Sequence, residues 1–226
     1  MMVSDLRVIG KPAEFARKYA EEGADEILYL DTVASLYGRN NLTEIIEEAS
    51  DGVFIPITCA GGVREVEDVQ RLLDAGADKV AINSAAIREP ALIRRCADRY
   101  GSQAIVVSIE AKRVNGGWEA YTDCGRDRTG REVKEWAQEA VSLGAGEILL
   151  TSVDRDGTRK GPDLDLAKSL QLPVPVVLCG GIGVPEHALE ASKVSDAVAI
   201  GCALHYGNTT ITAVKSALAQ SGLAIR

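Results

Sequence analysis

A chain of 226 residues that is 46% hydrophobic but only 4% aromatic must build its core from aliphatic side chains, as parallel α/β sheets rich in Val, Ile and Leu do. Its formal net charge of −8 argues against nonspecific nucleic-acid binding, which rests on Lys and Arg neutralising phosphates. An anionic small molecule stays open, because backbone N–H groups bind phosphate whatever the net charge.

Seven short apolar runs, 26–31, 54–59, 79–83, 104–109, 147–151, 174–179 and 197–201, read as buried strands. Amphipathic stretches at 13–22, 65–75, 90–99, 131–143 and 185–193 read as helices between them. Strand–helix alternation implies parallel strands joined by right-handed crossovers. No apolar run approaches the ~20 residues needed to cross a bilayer, and the N-terminal residues carry no apolar signal segment.

The chain repeats itself. Glu14-Phe15-Ala16 through Gly23-Ala24-Asp25-Glu26-Ile27-Leu28 matches Glu135-Trp136-Ala137 through Gly144-Ala145-Gly146-Glu147-Ile148-Leu149, 121 residues on. Ile55-Pro56-Ile57 through Gly61-Gly62-Val63 matches Val174-Pro175-Val176 through Gly180-Gly181-Ile182, at an offset of 119. Asp78-Lys79-Val80-Ala81-Ile82 matches Asp196-Ala197-Val198-Ala199-Ile200, at 118. Two halves, about 1–100 and 101–226, share one motif order, which predicts a single α/β barrel of the (βα)8 TIM type built from duplicated half-barrels. The second half has four predicted strands and the first has three. Projecting 104–109 back by the repeat offset falls before residue 1, so the first strand of the barrel is expected to be missing from this sequence.

Gly61-Gly62 and Gly180-Gly181 each follow a strand. Paired glycines let backbone approach a ligand and aim N–H groups at it. The next strand of each half ends in Asn83-Ser84 or Gly201-Cys202, where a short helix should begin and add its N-terminal donors. The bland reading of each pair is a tight turn. Their duplication favours two anion sites across one barrel mouth, and hence a substrate with a phosphate at each end.

Catalytic groups in such barrels sit at the C-terminal ends of strands. Those ends supply Asp31, Asn83, Glu110, Thr151, Asp154 and Asp156. Glu110 closes the apolar run 104–109, where desolvation would raise its pKa and suit it to general acid or base work. The competing reading is an ion pair with Lys112 or Arg113. The loop Ser152–Thr158 either touches substrate or is a solvated turn. Glu26, Lys79 and Glu147 open strands at the opposite face, where a ring of ion pairs would be structural. His187, expected on a helix surface, and His205 are the only histidines. Neither lies near a cysteine at ligand spacing, so no metal and no cofactor are expected. The five cysteines, odd in number and without a CxxC pair, are expected to be free thiols in a reducing cytoplasm.

Gly101-Ser102-Gln103, Ala111-Lys112-Arg113-Val114, Gly144–Ser152, Asp154-Arg155-Asp156-Gly157-Thr158, and Gly76–Val80 with Ile82-Asn83 resemble the cyclase subunit of imidazole glycerol phosphate synthase. The resemblance runs from about residue 5 to the C-terminus. It implies a duplicated (βα)8 lyase of histidine biosynthesis that forms a heterodimer with a glutaminase docked at the N-terminal barrel face. Ammonia crosses the barrel to a ribulosyl aminoimidazole-carboxamide bis-phosphate. By resemblance Gly62, Asn83, Ser84, Gly181 and Cys202 contact phosphate, and Thr151 and Asp156 contact substrate. Glu26, Lys79 and Glu147 correspond to three of four ammonia-gate residues, and Asp78 to a docking position. The chain departs from the family pattern as well. One catalytic aspartate and the gate arginine fall in the segment absent here, Glu110 replaces the other aspartate, and Cys179 and Cys202 replace serines. Glu110 together with Asp31-Thr32-Val33-Ala34-Ser35-Leu36-Tyr37-Gly38-Arg39-Asn40 also resembles non-cyclising relatives that pass ammonia to a sugar amidotransferase of surface-glycan biosynthesis. A catalytically impaired phosphate-binding barrel is the third reading.

Overall fold

The computed structural model describes residues 10–31 and 42–225. In chain order it contains α1 (Pro12–Glu21), β1 (Ile27–Leu30), α2 (Leu42–Ser50), β2 (Ile57–Ala60), α3 (Val66–Asp74), β3 (Lys79–Ile82), α4 (Ser84–Arg88) and α5 (Ala91–Tyr100). Then come β4 (Ile105–Val114), β5 (Gly117–Thr122), β6 (Asp127–Glu132), α6 (Val133–Ser142), β7 (Glu147–Ser152), α7 (Leu164–Ser169), β8 (Val176–Cys179), α8 (Pro185–Ala191), β9 (Ala197–Ala199), α9 (Cys202–His205) and α10 (Ile211–Gln220). Seven strands pair in parallel in the order β1-β2-β3-β4-β7-β8-β9, and β5 and β6 form an antiparallel hairpin on β4. This is the TIM-type α/β barrel, nearly closed.

Strand alternation sorts the side chains into two packed layers. Ile57, Cys59, Val80, Ile82, Ile105, Val107, Ile109, Ile148, Leu150 and Leu178 face outward into the main core beneath the helices. Ala60, Ala81, Val106 and Leu149 face the axis, with Leu28, Val177, Cys179 and Ala199 packed on them. Three of these eight axial residues are alanines, so the interior fills without aromatic bulk.

Local chemistry sets the helix ends. Pro12 and Pro185 start α1 and α8, where a missing N–H costs nothing. Glu132, Asp163 and Thr210 each accept an N–H from the first turn of the helix they cap.

The duplication is visible in hydrogen bonds. The Ile57 N–H donates to Asp78 Oδ2 at 2.8 Å, and the Val176 N–H donates to Asp196 Oδ2 at 2.9 Å. Likewise the Ile27 N–H donates to the Pro56 carbonyl and the Ile148 N–H to the Pro175 carbonyl, both at 2.9 Å. Each half therefore starts its strands with the same clasp.

Among the described residues β1 and β9 do not pair with one another. Helices from the two ends of the chain meet near that seam. The Tyr19 hydroxyl and His205 Nδ1 are 2.9 Å apart, the Phe15 and His205 rings stack edge to face at 5.5 Å, and Lys215 pairs with Asp25 at 2.8 Å.

Several predicted boundaries are corrected. The strand predicted at 54–59 begins at Ile57, because Phe54 stands 96% exposed and Pro56 has no N–H to give a ladder. The helix predicted from 131 begins at Val133, since Arg131 and Glu132 still belong to β6. Glu110 does not end its strand: β4 continues to Val114 and carries the hairpin, which the pattern of apolar runs does not announce. His187 is half-buried, its Nδ1 accepting the Gly183 N–H at 3.2 Å, rather than lying on an open surface. The expected missing strand, and residues 32–40 of the motif that begins at Asp31, lie outside the described residues. No described helix is long and apolar enough to cross a membrane.

Candidate functional site

Parallel register carries three side chains into one row at the C-terminal rim. Glu110 on β4 pairs with Thr151 on β7, and Thr151 pairs with Cys179 on β8. Each lies an even number of residues beyond an axial side chain (Val106, Leu149 and Val177), so all three face inward. Thr151 and Cys179 are neighbours across the β7–β8 ladder, and Asp156 lies close enough to act on both Cys179 and Glu110.

Electrostatics in the row favour neutral forms. Burial, first, pushes the Glu110 carboxyl above the usual range; the Gly125 N–H, donated to Oε2 at 2.8 Å, partly offsets this, and the Asp123 and Asp156 charges add to it. Burial also pushes the Cys179 thiol up to about 11, helped by Asp156. The suggested ion pair of Glu110 with Lys112 or Arg113 does not form. The Lys112 ammonium lies over the Tyr121 ring at 5.3 Å, and Arg113 reaches Asp163 at 3.4 Å and stacks on Trp118.

The glycine turns flank this row. Gly61 and Gly62 have φ of +123° and +71°, and Gly180 and Gly181 have +103° and +89°, a region that favours glycine. A Cβ at Gly61 would meet the Asp31 carbonyl oxygen at 2.5 Å, and one at Gly181 would meet the Gly161 carbonyl oxygen at 2.1 Å. Gly61 and Gly181 are thus obligate glycine positions.

Asn83 follows β3 and caps α4; its Nδ2 donates to the Ser108 carbonyl at 3.0 Å. Ser84 Oγ donates to Asn83 Oδ1 at 3.2 Å and accepts the Asp123 N–H at 3.2 Å. Gly201 and Cys202 occupy the matching place, as cap and first residue of α9. The short helices foreseen after both strands are present.

The β7–α7 loop divides its carboxylates. Asp154 Oδ2 accepts the Arg113 N–H at 2.7 Å and so anchors the loop to β4, whereas Asp156 stays half-buried beside the row. A cavity of about 630 Å³ opens between this loop and the β4–β5 turn, lined by Arg113, Asn115, Arg155, Thr158 and Lys160 among others; it holds none of Glu110, Thr151 or Asp156.

At the opposite face the Lys79 ammonium bridges Glu26 and Glu147, 2.8 Å from each. Burial is the largest influence on Lys79 and opposes its charge, yet the two carboxylates together outweigh it and its pKa is raised. Thr58 donates a hydrogen bond to Glu26, a partner that no charge pattern in the sequence announced. Glu26 precedes β1 rather than opening it. Among the described residues no three His, Cys, Asp or Glu side chains gather as metal ligands would, and no disulfide joins any of the five cysteines.

The family model described as "Histidine biosynthesis protein" matches residues 2–210. The imidazole glycerol phosphate synthase subunit HisF of Legionella pneumophila is 58% identical over 181 residues, which cover 79% of this chain and 85% of that protein. A duplicated barrel with matched glycine turns at its rim, joined to this likeness along most of its length, places the chain in the histidine biosynthesis protein family.

Proposed function

We propose that the chain is the cyclase subunit of an imidazole glycerol phosphate synthase. The observation that carries this reading is the pair of equivalent glycine turns flanking the Glu110–Thr151–Cys179 row, which suits a substrate with a phosphate at each end. The 58% identity to the Legionella subunit supplies the chemistry.

In this reading Gly61, Gly62, Asn83 and Ser84 take one phosphate, and Gly180, Gly181, Gly201 and Cys202 take the other. Glu110 and Asp156 move protons as ammonia adds to the ribulosyl aminoimidazole-carboxamide bis-phosphate and the imidazole ring closes. A Glu110 pKa above the ordinary range suits a carboxyl that must hold a proton as well as give one up. Thr151 orients substrate beside it. A glutaminase subunit docks at the N-terminal face, where Asp78 and the exposed Phe54 lie, and its ammonia enters past Glu26, Lys79 and Glu147. Cysteines joined by no disulfide fit a reducing cytoplasm.

The test is turnover of the bis-phosphate substrate at high ammonium with the purified chain, alongside Glu110→Gln. Product formation that Glu110→Gln lowers by about a hundredfold or more supports the reading. Tight substrate binding with no product overturns it in favour of a non-cyclising barrel.

A further inference from the structure

Between β5 and β6 three successive residues lie in the left-handed region: Asp123 at φ 51°, Cys124 at 61° and Gly125 at 73°. Residues with a Cβ adopt it rarely, and such strain persists only where surrounding structure over-determines it, commonly at functional sites. The determinants here are specific. The Gly125 N–H reaches Glu110 Oε2 at 2.8 Å, the Asp123 N–H reaches Ser84 Oγ at 3.2 Å, and the Asp123 carboxylate pairs with Arg88 at 3.4 Å. Glu119, buried at the base of the hairpin, holds Arg128 through three hydrogen bonds and accepts the Gly130 N–H at 2.9 Å, so the turn rides on a stiff stem.

We propose that the Asp123–Cys124–Gly125 turn is a positioning element that fixes the Glu110 carboxylate through the Gly125 N–H and couples it to the first-half anion loop through Ser84. This rests on the reading of Glu110 as the acid–base group. A serine hydroxyl has one proton to donate and two lone pairs. Ser84 gives its proton to Asn83 and accepts from Asp123. An anion in the loop takes that proton and, as a stronger acceptor than the Asn83 amide, polarises the hydroxyl so that it accepts the Asp123 N–H more strongly. Occupancy of the loop then reaches Glu110 through two residues of backbone. Among the described residues the other ionisable groups facing Glu110 are Asp123 and Cys124 from the turn and Asp156 from the β7–α7 loop; Lys112 and Arg113, on its own strand, are engaged elsewhere.

The test is the titration of Glu110 in the ligand-free full chain, read by NMR on carboxyl-labelled glutamate and assigned by Glu110→Gln. Gly125→Ala puts a Cβ 2.7 Å from a Val153 methyl and pushes the turn off the carboxylate. The ratio of ionised to neutral Glu110 at the wild-type midpoint should fall about tenfold, the worth of one hydrogen bond to a charged group. Gly125→Ala with Val153→Ala should recover part of that fall. Should Gly125→Ala not fold, Ser84→Ala decides. Inorganic phosphate, raised in each protein until its binding saturates, should displace the Glu110 titration in the wild type and leave it unmoved in Ser84→Ala. A Glu110 titration identical in Gly125→Ala and wild type, or a phosphate response that survives Ser84→Ala, overturns the proposal. No cyclisation is needed for either readout, so a chain that fails to turn over substrate can still pass.

Discussion

Replacing Asp78 by alanine separates a partner-docking role from a structural one. Asp78 Oδ2 accepts the N–H of Ile57, the first residue of β2, at 2.8 Å, and Ile57 is only 2% exposed. Removing the carboxylate leaves a buried donor without its charged acceptor, a loss of roughly 1.5–3 kcal/mol in an enclosed site. Asp78 itself is exposed, so water replaces part of the bond and about 1–2 kcal/mol is expected. Its repeat partner Asp196 makes the same contact to Val176 at 2.9 Å, and Asp196→Ala should cost the same within about 0.5 kcal/mol. The two sites belong to separate strand starts, so the double variant should show a simple sum. For a chain of this size the single variants should melt roughly 2–8 °C lower. Urea unfolding at constant m-value, with a thermal melt beside it, measures both. If Asp78→Ala is as stable as the wild type while Asp196→Ala is not, the clasp is not what holds these strand starts and the proposed equivalence of the halves fails.

Glu110→Gln should lower turnover by roughly 10²–10⁴-fold, the usual loss for a general acid–base group. Its effect on stability has the opposite sign. Because the folded pKa of Glu110 is raised, the folded state holds the extra proton, and wild-type stability falls as pH rises from the ordinary glutamate range through the folded value. The amide removes that fall, so Glu110→Gln should match or exceed the wild type in urea at pH 7, and a markedly less stable variant would refute the burial argument. Lys79→Met leaves Glu26 and Glu147 facing each other without the cation that now touches both at 2.8 Å. With these side chains 16–34% exposed, a loss of about 2–3 kcal/mol is expected rather than the full cost of breaking a buried pair. The raised Lys79 pKa makes its contribution complete below the ordinary lysine range and lost as pH rises through the folded value. Alkaline urea titration should therefore show a decline in the wild type that Lys79→Met lacks. Gly181→Ala would set a methyl 2.1 Å from the Gly161 carbonyl oxygen at a φ of +89°. The turn must move, and isothermal titration with a bis-phosphate substrate analogue should show at least a tenfold loss of affinity, about 1.4 kcal/mol. Unchanged affinity would remove this turn from the anion site.

The barrel, its duplication and the glycine turns were legible in the sequence because each rests on a local pattern. Apolar runs of strand length, amphipathic stretches between them, and glycine pairs at fixed offsets all survive translation into structure. Glu110, Thr151 and Asp156 stood out as candidates the same way, as polar residues at or just past the end of an apolar run. Tertiary structure alone decided the rest. The hairpin 117–132 leaves no local signature because its burial depends on partners distant in space: Glu119 is a charged residue made buriable by Arg128 and the Gly130 N–H, and Trp118 finds Asp163 forty-five residues away. Thr58 gives no sign of meeting Glu26 until β1 and β2 pair. Strand register, a property of neighbouring chains, put Glu110, Thr151 and Cys179 in one row, and hydrogen bonding across that register turned the carboxylate toward Gly125 rather than toward the lysine two residues along its own strand. Periodicity is written in the chain; which side chains become neighbours is settled only when non-local strands come together.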